Sequence, residues 1–210
     1  MGLRHVAPST VRRLSHYLQH LELAERQGQA TVSSRALAKW GGATPAQVRK
    51  DLSFFGSFGK RGIGYPVQEL AGKIKAILGL GREYRVVLIG AGRIGAALAN
   101  YPGFDARGFT ITAIYDVDPA KIGRRLDAYE IRDVAQLESD LARQPVDIAV
   151  IGTPAAAAQG IADRVVRCGV RAILNFAPVT LAVPNEVAVS NVNMAMELEA
   201  LSFALNHKRA

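Results

Sequence analysis

One cysteine and four histidines are all that this 210-residue chain has of the side chains that most often build disulfides, metal cages and proton relays. With Cys168 alone, neither an intramolecular disulfide framework nor a cysteine metal cage can form. Its place before Gly169, at the expected end of a helix, suits a small buried side chain. No apolar run has the length that a bilayer needs, and no charged n-region precedes an apolar h-region, so the chain is expected to be soluble and cytoplasmic, with no membrane partner. No aromatic RNA-binding motif is visible either.

What the chain does have is positive charge, unevenly placed. Residues 1–81 carry 12 Lys/Arg against 4 Asp/Glu, a net of +8, whereas residues 82–210 carry 14 of each. The whole excess precedes residue 82. Such asymmetry marks an N-terminal module that meets a polyanion.

That module begins with a helix capped by Ser9 or Thr10, with Val11, Leu14, Tyr17, Leu18 and Leu21 at helical spacing and Gly28 as its stop. A second helix starts at Ser33-Ser34 and carries Leu37 and Trp40. Gly41-Gly42 then breaks the chain. Thr44-Pro45-Ala46-Gln47 restarts it with a capping threonine, proline at the first helical position and glutamine three residues after the cap. Two short helices joined by a glycine turn make a helix-turn-helix. The helix from Pro45 to about Phe55 turns Val48, Leu52 and Phe55 inward, and Gln47, Arg49, Lys50 and Ser53 lie toward the other side. Arg can read guanine, Gln can read adenine and Lys can neutralise a phosphate, so this is the composition of a DNA recognition helix. Glycines flanking Lys60-Arg61, between Gly56 and Tyr65, suggest a hairpin wing whose tip enters a minor groove. A connecting helix, Glu69 to Leu78, and the flexible boundary Gly79-Leu80-Gly81 follow. The expected DNA-binding domain is residues 1–80.

Residues 81–192 are organised around Arg85-Val86-Val87-Leu88-Ile89-Gly90-Ala91-Gly92-Arg93-Ile94-Gly95, a buried strand that meets a G-x-G-x-x-G turn and an alanine-rich helix start. Gly90 lets the chain turn, Gly92 admits a pyrophosphate close to the backbone, and Gly95 lets the helix lie on the strand. The free N–H groups of that helix start face the anion. The next apolar run ends in Asp116, 21 residues past Gly95, where a Rossmann second strand presents the acid that holds an adenosine ribose. A carboxylate there favours NAD(H) over NADP(H), a preference that Lys121, Arg124 and Arg125 weaken slightly.

Strands at 146–152 and 170–176 and helices at 134–142 and 155–168 continue a doubly wound parallel sheet, with a loop at 118–128. Thr153, Pro154, Asn175 and Phe176 fall beyond strand ends, where the nicotinamide half of a cofactor would lie, and serve equally well as turn residues. The sheet consumes the chain to about Val192. No substrate domain remains, none of the four histidines falls at a strand end, and no metal-ligand cluster is visible, which supports binding rather than catalysis. A small NAD-dependent oxidoreductase and a CoA-binding Rossmann protein remain the alternatives. Residues 193–210 form a last helix with Met194, Leu198, Leu201 and Leu205 on one face, suited to exchange with a second subunit.

Four stretches in order, Gln47-Val48-Arg49-Lys50-Asp51-Leu52-Ser53-Phe54-Phe55-Gly56, Gly59-Lys60-Arg61-Gly62-Ile63-Gly64-Tyr65, Asn100-Tyr101-Pro102-Gly103-Phe104 and Leu174-Asn175-Phe176-Ala177-Pro178, resemble the Rex family of redox-sensing transcriptional repressors. The resemblance runs nearly end to end. It implies a winged helix followed by a Rossmann domain, in a homodimer with swapped C-terminal helices. Such a dimer is a repressor, not an enzyme. It binds an inverted-repeat DNA operator when NAD+ predominates and is released by NADH. It implies DNA contacts from Gln47, Arg49, Lys50 and Arg61, and a place for Tyr101 at the cofactor and dimer interface. The family's last helix usually opens with Asp and an apolar or aromatic residue, and its first helix often carries an Arg that pairs with that Asp in one state of the switch. This chain has Asn193-Met194 and Gln19 at those positions.

Overall fold

Proline at the first helical position, behind an extended Ala7, starts α1 (Pro8–Arg26); Ser9 and Thr10, expected as caps, lie inside its first turn. Pro8 has the fixed φ that a helix start needs, so no side-chain cap is required. The computed structural model describes residues 6–59 and 62–207, which form two units, one ending at Arg82 and the other beginning at Glu83.

In the first unit, Leu14, Tyr17, Leu18 and Leu21 of α1 are fully buried, and Gly28, at a φ of 71°, lies just past the helix. Strand β1 (Thr31–Val32) leads to α2 (Ser34–Trp40), capped by Ser33, whose hydroxyl accepts the Ala36 N–H at 3.1 Å. Helix α3 (Pro45–Ser53) is capped by Thr44, whose Oγ1 accepts the Gln47 N–H at 3.1 Å. Replacing Thr44 by alanine is therefore expected to cost about 1 kcal/mol. The fluorescence of Trp40, the only tryptophan, reads this as a lower denaturant midpoint for its own unit. The reciprocal half of the expected capping box is absent, because the Gln47 amide turns to Asp51 instead.

Strand β2 (Tyr65–Pro66) pairs antiparallel with β1, Val32 opposite Tyr65. The expected hairpin is thus corrected: the wing's returning strand finds its partner ahead of α2, not in the residues just before the tip. Gly59 and Gly64 hold φ values of 68° and 95°, and a Cβ on Gly64 would stand 2.6 Å from the Val32 carbonyl oxygen, so only glycine fits there. Lys60 and Arg61 lie outside the described residues. Helix α4 (Val67–Ile77) is not a connector: it packs Val67, Leu70, Ala71 and Ile74 into the same core as α1. A helix with that apolar stripe has to bury it somewhere.

The second unit takes its chain in the order β3 (Tyr84–Ile89), α5 (Arg93–Ala99), β4 (Phe109–Asp116), β5 (Arg125–Leu126), β6 (Tyr129–Asp133), α6 (Leu137–Arg143), β7 (Ile148–Ile151), α7 (Ala155–Arg167), β8 (Ala172–Asn175), β9 (Ala188–Asn191) and α8 (Met194–His207). The sheet order is β5-β6-β4-β3-β7-β8-β9, parallel throughout except for β5 against β6. The chain winds outward from β3 in both directions, so the switch point falls between β3 and β7. The segment expected as a plain loop holds β5 and a tight turn through Asp127, at a φ of 53°; a two-residue strand is too short to show a period.

Strands β3, β4 and β7 are buried on both faces, one against α6 and α7 and the other alongside residues of α5. Arg164 of α7 grips Glu138 of α6 with two nitrogens and also donates to the Val134 carbonyl, which holds the Glu138 carboxyl down at about 2. Among the described α-helices, α8 alone has no buried residue.

Candidate functional site

The turn after β3 is shaped by backbone that leaves no room for a side chain at Gly90 or Gly95. Gly90 holds a φ of 106°, and a Cβ there would stand 2.6 Å from the Gly152 carbonyl oxygen and 3.1 Å from the Thr153 nitrogen. A Cβ on Gly95 would collide with the Gly90 carbonyl. Beside Gly92 there is open space, the room that an incoming group needs. The ends of β3 and β7 are thereby drawn together at the switch point. Arg93 and Ile94 stand exposed at the start of α5.

Asp116 ends β4 and closes the turn from the other side. Its Oδ2 accepts the Ala91 N–H at 2.8 Å and the Lys121 ammonium at 3.1 Å, and its Oδ1 accepts the Asp118 N–H at 2.9 Å. Burial works to raise this carboxyl, but the Asp118 N–H, Lys121 and the Ala91 N–H outweigh it and hold the group below its ordinary value. Asp116 is therefore ionised at neutral pH.

The remaining predicted cofactor residues separate. The Thr153 hydroxyl oxygen, past the end of β7, is buried without a hydrogen-bond partner. Pro154 caps α7 and is exposed. Asn175 is fully buried, and its side-chain nitrogen donates to the carbonyls of Ala177 and Val179 and to Asn191 Oδ1, while its Oδ1 accepts the Ala177 N–H. Both donors are spent inside the protein, so Asn175 shapes the loop beyond β8 and has no N–H left for a ligand. Tyr101 is 56% exposed and meets Phe104 edge-on at 5.1 Å. No group of His, Cys, Asp and Glu among the described residues could hold a metal ion.

In the first unit, α3 buries Val48 and Leu52 and leaves Arg49, Lys50 and Ser53 open. Arg49 rests on the Ser34 hydroxyl at 3.2 Å, and Ser53 on the Lys50 carbonyl at 2.8 Å. Gln47 is engaged elsewhere, donating to Asp51 at 2.7 Å. Asp51 is the residue that sequence reasoning passed over. It is 0% exposed, and Arg13 of α1 grips both its oxygens at 2.7 Å, with Tyr17 donating at 3.0 Å. Burial pushes this carboxyl up, but Arg13, Gln47 and Tyr17 together hold it below its ordinary value. The only signal was a lone acid on a basic helix. Of the remaining predicted residues, Gln19 is exposed on α1, Met194 is exposed on α8, and Asn193 caps α8 by accepting the Ala195 N–H at 3.0 Å.

Residues 5–53 match the family described as "Putative DNA-binding protein N-terminus", and residues 81–179 match "CoA binding domain". The redox-sensing transcriptional repressor Rex of Desulfitobacterium hafniense is 46% identical over 205 residues, 98% of each chain. Rex of Carboxydothermus hydrogenoformans is 46% identical over 198 residues, 94% of this chain and 95% of its own. Among solved structures, RSP in complex with β-NADH has a TM-score of 0.89 at 37% identity, covering 98% of this chain and 97% of its own. RSP in complex with β-NAD+ and operator DNA has a TM-score of 0.90 at 39% identity, covering 98% and 95%.

Proposed function

This chain belongs to the Rex family of redox-sensing transcriptional repressors, and on that premise we propose that it binds an inverted-repeat operator as a homodimer under NAD+ and lets go when NADH rises. One observation carries the reading: a glycine turn closed by an ionised aspartate shares a chain with a helix-turn-helix whose open face presents Arg49 and Lys50. The protein is a regulator, not an enzyme, and its ligand is NAD(H).

The residues fit that ligand. The open space beside Gly92 suits a pyrophosphate, Asp116 a ribose diol, and the orphaned Thr153 hydroxyl a polar group of the nicotinamide half. The nicotinamide supplies the redox signal. Tyr101, exposed in its turn, is assigned to the cofactor and dimer interface, and Asn175 acts by holding the neighbouring loop. A ligand shifts a two-state protein only by its difference in affinity for the two states, so NADH has to favour a dimer whose recognition helices no longer match successive major grooves.

The second subunit belongs on α8. Its Met194, Met196, Leu198, Leu201, Phe203 and Leu205 are each 60–73% exposed, more apolar surface than a monomer normally leaves in water. Gln19 and Asn193 stand where the family commonly places a charged pair, so neither position supplies an ion to this chain's switch. No described helix is long and apolar enough to cross a membrane, and a protein that acts on DNA is placed in the cytoplasm. Coenzyme A, which the matched domain name suggests, carries a phosphate on the adenosine ribose that ionised Asp116 would repel.

The test is titration of a fluorescent inverted-repeat duplex at one fixed salt concentration, repeated with NAD+ and with NADH. Release by NADH and not by NAD+ is expected. Specific binding that ignores both nucleotides would refute the sensor reading.

A further inference from the structure

Asp116 has more partners than its assigned task allows. An ionised carboxylate offers about four lone-pair sites. The Asp118 N–H takes one on Oδ1, and the Ala91 N–H and the Lys121 ammonium take two on Oδ2. A ribose diol brings two donors to the single site left, so one present partner has to yield. Ala91 and Asp118 offer backbone N–H groups, fixed by the glycine turn and by the chain after β4. Lys121 offers an ammonium on a flexible stem, 37% exposed against 8% for Asp116. The lysine is the partner that moves.

Lys121 cannot go far. Its own N–H donates to the Asp118 carbonyl at 2.9 Å, and the Ala120 N–H to Asp118 Oδ1 at 2.9 Å. Gly123 N–H then binds the Ile131 carbonyl at 2.8 Å, tying this turn to β6. Arg125 donates to the Ala128 carbonyl at 3.0 Å, which holds its head group toward the neighbouring hairpin. A displaced Lys121 ammonium therefore stays at the edge of the ribose position, with Asp118 Oδ2 only 3.7 Å away as it stands.

We propose that Lys121 is a specificity-determining residue of the adenosine-ribose site: it yields Asp116 to the diol, donates to a ribose hydroxyl oxygen in exchange, and is the cation that a 2′-phosphate would meet. The site therefore holds both halves of the NAD(H)/NADP(H) choice. Asp116 enforces the diol, and Lys121 stands ready for a phosphate once the acid's charge is removed. This rests on the dinucleotide reading above.

The experiment measures NADH and NADPH affinity by nicotinamide fluorescence on the full-length protein and its Asp116→Asn, Lys121→Met and double variants. Far-ultraviolet circular dichroism and the thermal unfolding of the second unit confirm that each is folded. NADPH is expected to bind Asp116→Asn roughly tenfold more tightly than it binds wild type, and the double variant is expected to lose that gain. Lys121→Met alone is expected to widen the preference for NADH, because Asp116 then faces the 2′-phosphate with no cation beside it. Equal NADPH affinity in Asp116→Asn and the double variant, or an unchanged preference in Lys121→Met, would overturn the assignment while leaving NADH binding by wild type intact. A folded wild type that binds neither nucleotide would overturn the dinucleotide reading and this assignment together.

Discussion

Replacing Asp51 by alanine is expected to destabilise the N-terminal unit by about 3 kcal/mol, the low end of what removing one partner of a buried ion pair costs. Thr10, Arg13, Tyr17 and Gln47 all donate to this one carboxylate, so its loss strands four side chains from two helices. Arg13 retains a route to water at 21% side-chain exposure, which keeps the cost from the upper end of the range. Because the network ties α3 to α1, operator affinity is expected to fall with stability, by roughly tenfold or more. The unfolding curve followed by Trp40 fluorescence, together with an operator titration, checks both effects. An Asp51→Ala protein with wild-type midpoint and wild-type operator affinity would show that the network is dispensable. The same carboxylate sets an acid limit. Its folded-state value is depressed, so its contribution is fully present above the unfolded value of about 3.9 and is lost as pH falls through the lower folded value. The first unit should lose stability below about pH 4, and Asp51→Ala should flatten that part of the curve.

Replacing Gly90 by valine is expected to separate the two functions. The residue sits at a φ of 106°, where a β-branched side chain costs roughly 1–3 kcal/mol in backbone strain alone. Its Cβ would also press on the Gly152 carbonyl at 2.6 Å, and because that neighbour is backbone, the ends of β3 and β7 would have to move apart. That movement disturbs both the glycine turn and Thr153. NADH binding is expected to be lost, while the N-terminal unit, which has its own core, keeps its recognition helix. In the operator assay the variant should bind DNA and ignore NADH. Release of DNA from Gly90→Val at the wild-type NADH concentration would place the cofactor elsewhere.

The features legible in the sequence were those written into neighbouring residues. The stripe Leu14, Tyr17, Leu18 and Leu21, the cap at Thr44 and the glycine spacing from Gly90 to Gly95 each lie within a few turns of chain, where a period or a steric rule suffices. Asp116 was legible because a parallel sheet sets the distance to the next strand end. The misread features involve partners far along the chain. The pairing of β1 with β2 spans α2 and α3, and the burial of α4 depends on α1. The silence of Asn175 as a donor depends on Asn191 and the loop at Ala177 and Val179.

By itself the sequence determined that a basic DNA-reading module precedes a neutral dinucleotide-binding sheet, because charge, helical period and glycine spacing act over short range and need no partner to be read. Only the tertiary structure decided which side chains are free to act. Gln47 could read a base and Asn175 could hold a cofactor by composition alone, yet both donate inward. Asp51, unremarkable by composition, gathers donors from two helices. The physical reason is that a buried polar group has to be satisfied, and which partner satisfies it is settled when distant segments pack together.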